Sequence, residues 1–331
     1  MHSTRTHRHA PVPRVAPGRP ALLALASALL LAGCASSGEK QDPLFKELKV
    51  EGGDAVPYDP NAAADDRRTG VLLAEIHRKL DIWTNLTLRG DPKKDARTLT
   101  QVESALGYDA SKNAALLVDQ LDVGAPRNRM ISAAALGFVG SDVALGPLLA
   151  ALDDRDEQVV ANALLGLSVL AEPTTPLTRI AGMLEDRGAD PDVRNNAGRV
   201  LRAMPSLVLN GSEREAILGA ARFAIGDEEP WVRIHGLMLL AELTDAESLE
   251  DMATLLTDDT PLVRLAASRA VAYLGDVEGE AFGRATRALV GALSDTRSQA
   301  FRSAVLGDLR RLTKRNFDDD DAWLKYANRL N

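Results

Sequence analysis

Few side chains in this sequence have the chemistry of a reaction centre. Its 331 residues include a single cysteine, Cys34, and five histidines, of which only His77 and His235 lie beyond Cys34. Neither histidine belongs to a His or Cys pair with ligand spacing on one helix, so no metal site is expected. Asp318 to Asp321 run consecutively, without the spaced oxygen ligands and glycine of a calcium loop. Standing before "AWLKYANRL", these carboxylates suit a helix cap and its dipole better. No nucleophile elbow, phosphate-binding glycine loop or recognisable acid pair occurs, so no catalytic residue and no cofactor is expected. The chemistry that does recur is cationic: an arginine standing at the head of one Ala/Leu-rich segment after another.

Cys34 ends a segment of its own. Arg5, Arg8, Arg14 and Arg19 form a basic stretch without carboxylates, and the apolar run "ALLALASALLLAG" that follows is short for a transmembrane span. Residues 1–33 therefore read as a signal peptide. With no second cysteine, a disulfide within the chain is impossible. Leu31-Ala32-Gly33-Cys34 resembles the lipobox of bacterial lipoproteins, which implies cleavage before Cys34 and its multiple acylation, as with palmitate. Each buried lipid CH₂ contributes about 0.8 kcal/mol, so two or more chains hold a protein stably where one does not. By the same resemblance, Ala35 and Ser36 lack the aspartate of inner-membrane retention. The expectation is a lipid-anchored protein of the cell envelope, at the outer membrane and facing the periplasm.

Without the four arginines of residues 1–33, the basic count drops from 39 to 35 against 47 acidic residues, a net charge of −12. That balance disfavours nucleic acid and anionic lipid surfaces, which reward clustered Lys and Arg. Contact with the membrane is expected through the anchor alone. Residues 34–69 mix Gly, Pro, Ser and charges with few periodic apolar positions, and read as a flexible tether from Cys34. A coil of that length spans roughly 30–35 Å.

From residue 70 onward the text repeats. Arg129, Arg194, Arg233, Arg264 and Arg302 each stand directly behind another residue, usually valine, at the head of a helical pattern, and Val160 fills the same slot once. Three residues after these six markers come Ser132, Ala163, Ala197, Gly236, Ala267 and Val305. Seven after come Leu136, Leu167, Leu201, Leu240, Val271 and Leu309, and ten after come Val139, Leu170, Met204, Leu243, Leu274 and Leu312. Offsets of three, seven and ten share one helical stripe, and the small first column lets a neighbouring helix approach. Marker spacings of 31, 34, 39, 31 and 38 residues leave room for two helices per unit. Asp122, Asp154, Asp227, Asp258 and Asp295 stand six or seven residues before their markers. The pattern predicts an Asp–Arg ladder within or between units, with the marker arginines structural rather than ligand-binding.

Aspartate, short gap, Val-Arg and an Ala/Leu-rich helix together resemble HEAT repeats, particularly the short form associated with bilin lyase-like proteins. The resemblance implies an all-α solenoid over 70–331, of about six to seven antiparallel helix pairs with a closing helix at 319–330. It also implies marker helices on the concave side. Columns five and eight residues after the marker flank the core stripe. They hold Arg199, Arg202, Met238, Arg269 and Arg310, basic points on an acidic protein that suit a protein or peptide partner, an acidic segment in particular. The di-iron hydroxylases that resemble HEAT proteins use His-Glu pairs, whereas His77 precedes Arg78 and His235 precedes Gly236. The favoured function is a membrane-anchored, non-catalytic protein-interaction scaffold of the bacterial cell envelope. The alternative is a lyase-like enzyme or enzyme accessory of the bilin lyase kind.

Overall fold

The computed structural model describes residues 64–89, 94–204, 211–294 and 298–330. Residues 1–33, Cys34, most of residues 34–69 and Asp295, with the expectations placed on them, lie outside the described residues. All regular structure among the described residues is helical. An opening pair, α1 (Ala64–Arg89) and α2 (Ala96–Lys112), precedes six hairpins. These pair α3 (Ala114–Val123) with α4 (Pro126–Leu136), α5 (Leu145–Ala150) with α6 (Glu157–Leu170), and α7 (Leu177–Glu185) with α8 (Pro191–Ala203). They continue with α9 (Gly211–Ala224) and α10 (Pro230–Glu242), α11 (Leu249–Thr254) and α12 (Pro261–Val277), and α13 (Phe282–Ala292) and α14 (Gln299–Thr313). A last helix, α15 (Asp320–Ala327), closes the row. It is shorter than the stretch 319–330 read from sequence. At the other end α1 begins six residues before position 70.

The six marker helices stack in order, each on the next, and each also packs on its hairpin partner. Helix starts are written locally. Pro126, Pro191, Pro230 and Pro261 occupy the first turns of α4, α8, α10 and α12, where a missing N–H costs nothing. Asp156, Asp190, Ser298 and Asp319 cap α6, α8, α14 and α15 by accepting from first-turn amides. The aspartate run at 318–321 thus serves a helix start.

The stripe inferred from the repeat is the core. All six residues of the small column are buried, as are all six of the column seven after the marker. Ten after, Met204, Leu243, Leu274 and Leu312 are buried, while Val139 and Leu170 in the first two units are half-buried. Close approach is most severe between α4 and α6. A Cβ on Gly166 would lie 2.4 Å from the carbonyl oxygen of Ala133, and one on Gly137 would lie 2.4 Å from that of Gly166. The ends of the row are sealed with scarce rings: Trp83 meets Phe138 edge-on at 5.3 Å, and Phe317 meets Trp323 at 4.9 Å.

Four of the five marker arginines reach forward to an aspartate. Arg129 donates to both carboxylate oxygens of Asp154 (2.8 and 3.0 Å) and to the Gly124 carbonyl of its own turn. Arg194 repeats this with Asp227 (3.0 and 3.1 Å) and the Ala189 carbonyl. Arg233 donates from Nη2 to Asp258 at 3.0 Å, with its Nε 2.9 Å from the other carboxylate oxygen as an ion pair, and from Nη1 to the carbonyls of Asp227 and Glu228. Arg302 pairs with Asp320 at 2.5 Å and holds the Leu293 carbonyl. Arg264 donates to the carbonyls of Asp258 and Asp259, with its guanidinium 5.5 Å from the Phe301 ring centre. Asp154, Asp227 and Asp258 in turn accept from the amide two residues on. Each such aspartate shapes its own turn and is gripped by the arginine of the preceding unit. Asp122, read as a rung, is exposed near the end of α3 and pairs with no arginine among the described residues, because no marker arginine precedes it.

Candidate functional site

What the ladder and core leave over is the pair of columns five and eight residues after the marker. On α8, Arg199 is half-buried and makes no hydrogen bond or ion pair with any described residue. Burial pulls its pKa down to about 10, Arg202 adds repulsion, and Asp192 offsets only part of this. One turn on, Arg202 is spent: its Nη2 and Nε lie 3.1 and 3.3 Å from an oxygen of Glu242 on α10. Burial raises the Glu242 carboxyl even with that arginine beside it.

Between these groups lies His235 of α10, only 6% exposed. Its ring fills the space where Gly198 has no side chain, since a Cβ there would meet the imidazole Cγ at 2.8 Å. Its Nδ1 is buried without a hydrogen-bond partner among the described residues. Burial first, then Arg202 and Arg199, hold its pKa well below 6.5, so the imidazole is neutral.

Two marker helices further, Arg269 of α12 repeats the Arg199 position. It too is half-buried, and its Nη1 is buried with no hydrogen-bond partner among the described residues. Burial lowers its pKa, with Asp308 opposing and Arg311 assisting. Asp308 is itself buried on α14, accepts from the Ser268 hydroxyl at 2.6 Å and from Arg311 at 2.6 Å, and is raised chiefly by burial.

The five basic and apolar points read from sequence therefore separate. Arg199 and Arg269 are half-buried cations with no ion pair among the described residues. Arg202 is neutralised, and Arg310 is exposed on α14. Met238 is 2% exposed and lies in the core rather than on a groove surface. The reason is α10 itself: Val232, Ile234, Leu237 and Leu239 bury every side of it between its neighbours, so its fifth-position residue is covered. Glu242 and Asp308 were not anticipated, and His235 was read from sequence only as an unsuitable metal ligand. The signal was present as polar residues at offsets two, six and nine, positions that are apolar or small in most other units.

Residues 217–310 match the family model of HEAT repeats. No curated protein matches the chain significantly. Among solved structures, a designed armadillo repeat protein aligns with a TM-score of 0.45 at 19% identity, over 60% of this chain and 98% of its own. The complex of CpcE and CpcF of phycocyanin lyase from Nostoc sp. PCC7120 aligns at 0.37 and 16% identity, over 84% of this chain and 97% of its own. Human deoxyhypusine hydroxylase in complex with glycerol aligns at 0.35 and 18% identity, over 78% and 93%. The chain is an all-helical repeat solenoid, and its residues 217–310 are similar to HEAT repeats.

Proposed function

We propose that this protein is a non-catalytic interaction scaffold, tethered by a lipidated Cys34 in the bacterial cell envelope, that holds a protein partner along its marker-helix face. The observation that carries the reading is the contrast between two sets of arginines. Four of those in the marker slot are ion-paired to an aspartate of the following unit, whereas Arg199 and Arg269 are set in the same layer with no ion pair among the described residues. A repeat fold dictates its ladder and core; residues that depart from the repeat on an accessible face are free to serve a partner. The anchor reading rests on the basic stretch, apolar run and Leu31-Ala32-Gly33-Cys34, with no helix among the described residues long and apolar enough to cross a membrane.

Affinity purification from detergent-solubilised membranes tests the scaffold. A stoichiometric protein partner is expected; a coloured or small-molecule ligand copurifying in its place would point to the lyase-like alternative. For the anchor, Cys34→Ser is expected to move the protein from the membrane to the soluble fraction. Full retention of that variant in membranes would contradict the lipid anchor.

A further inference from the structure

Resting on the scaffold reading, the geometry points to a two-point recognition of acidic protein segments: we propose that Arg199 and Arg269 each take one carboxylate of an extended stretch laid across α8, α10 and α12. Both arginines occupy the fifth position after the marker, on helices that flank α10. Both are half-buried and have no ion-pair or hydrogen-bond partner among the described residues. The fold has no difficulty supplying aspartates to arginines elsewhere, as four ladder pairs show. Leaving these two without an ion pair keeps a desolvated guanidinium ready for an incoming anion.

Charge at each point selects a single carboxylate. Beside Arg199, the charge of Arg202 is already cancelled by Glu242. Beside Arg269, Asp308 stands opposite Arg269 and Arg311. Asp192 and Asp308 offset Arg199 and Arg269 without forming an ion pair or hydrogen bond to them, so each guanidinium is suited to a single carboxylate, while the excess of 47 acidic over 39 basic residues repels a uniform polyanion such as nucleic acid. Spacing follows from the stack. Two interaxial steps of about 8–10 Å separate α8 from α12, so the anchors stand roughly 16–20 Å apart. An extended chain rising about 3.3 Å per residue covers that distance with acidic residues about five positions apart.

The test titrates the full-length protein in detergent with a fluorescein-labelled Ser/Ala peptide carrying two glutamates about five residues apart. Wild-type protein is expected to bind it in a salt-sensitive way. Arg199→Gln or Arg269→Gln should each weaken binding by about tenfold, and the double variant should abolish it. Arg97→Gln, an exposed change on α2, should leave binding unaltered, and thermal melts confirm that each variant is folded. Replacing either glutamate by glutamine, or moving the two to about two residues apart, should also cost about tenfold. No binding of the two-glutamate peptide, equal binding of its glutamine form, equal binding by the double variant, or tighter binding of a single-stranded oligonucleotide would each overturn the proposal. Failure of the scaffold reading looks different: no protein copurifies from membranes. A copurifying partner that survives Arg199→Gln plus Arg269→Gln leaves the scaffold standing and removes the two anchors.

Discussion

Arginine does two jobs on this chain, and burial with or without a partner separates them. Arg194 and Asp227 are each 1% exposed, and the pair is completed by backbone groups at both ends. Truncating one member strands a buried charge, so Arg194→Met is expected to lower the unfolding free energy in urea by about 3–5 kcal/mol. Arg302 and Asp320 form the same rung in the open, and Arg302→Met should cost only about 0–1 kcal/mol in the same measurement. Arg269→Gln should cost no more than about 0.5 kcal/mol, because what it removes is a desolvated cation with no partner. His235 adds a pH dependence of known sign. Its folded-state pKa lies below the ordinary 6.5, so the unfolded chain binds the extra proton, and stability is full above 6.5 and lost as pH falls below it. His235→Gln should flatten that decline in urea midpoints measured downward from neutral pH. The marker arginines were legible because five copies share a slot. The direction of their reach was not, because an aspartate six residues upstream and one some 25 residues downstream look alike until the helices are stacked.

At the scale of the helix, the repeat was readable wherever one face had one task. Offsets three and seven face the same neighbour in every unit, so composition shows through. Offset five was misread at Met238 because the polar residues of α10, Arg233, His235 and Glu242, are themselves paired or buried, so amphipathicity assigns this helix no solvent face. The Gly137 and Gly166 contact was equally invisible: a glycine in a helix pattern is ambiguous, and only the neighbouring carbonyl at 2.4 Å gives it a reason. Gly166→Ala should therefore push α4 from α6 and destabilise by about 1–3 kcal/mol, read by urea denaturation. Gly146 meets nothing within 4 Å, and Gly146→Ala serves as the neutral control.

Over the whole molecule, stability is a sum of units and the interfaces between them. A ladder that runs forward makes each interface polar at its rim and apolar at its centre. The aspartate that Arg194 holds also fixes the start of α10 through the Glu229 amide at 2.8 Å, so loss of the arginine should be felt in the following unit. Helix content, repeat length and the order of hairpins followed from periodicity. The groove did not, since its character depends on which arginines find carboxylates once α8, α10, α12 and α14 lie side by side. The most direct measurement is amide hydrogen exchange on Arg194→Met beside wild type. The account predicts faster exchange across residues 226–230, one unit downstream of the change, with α4 unaffected. Unchanged protection at 226–230, with the loss confined to α8, would contradict it.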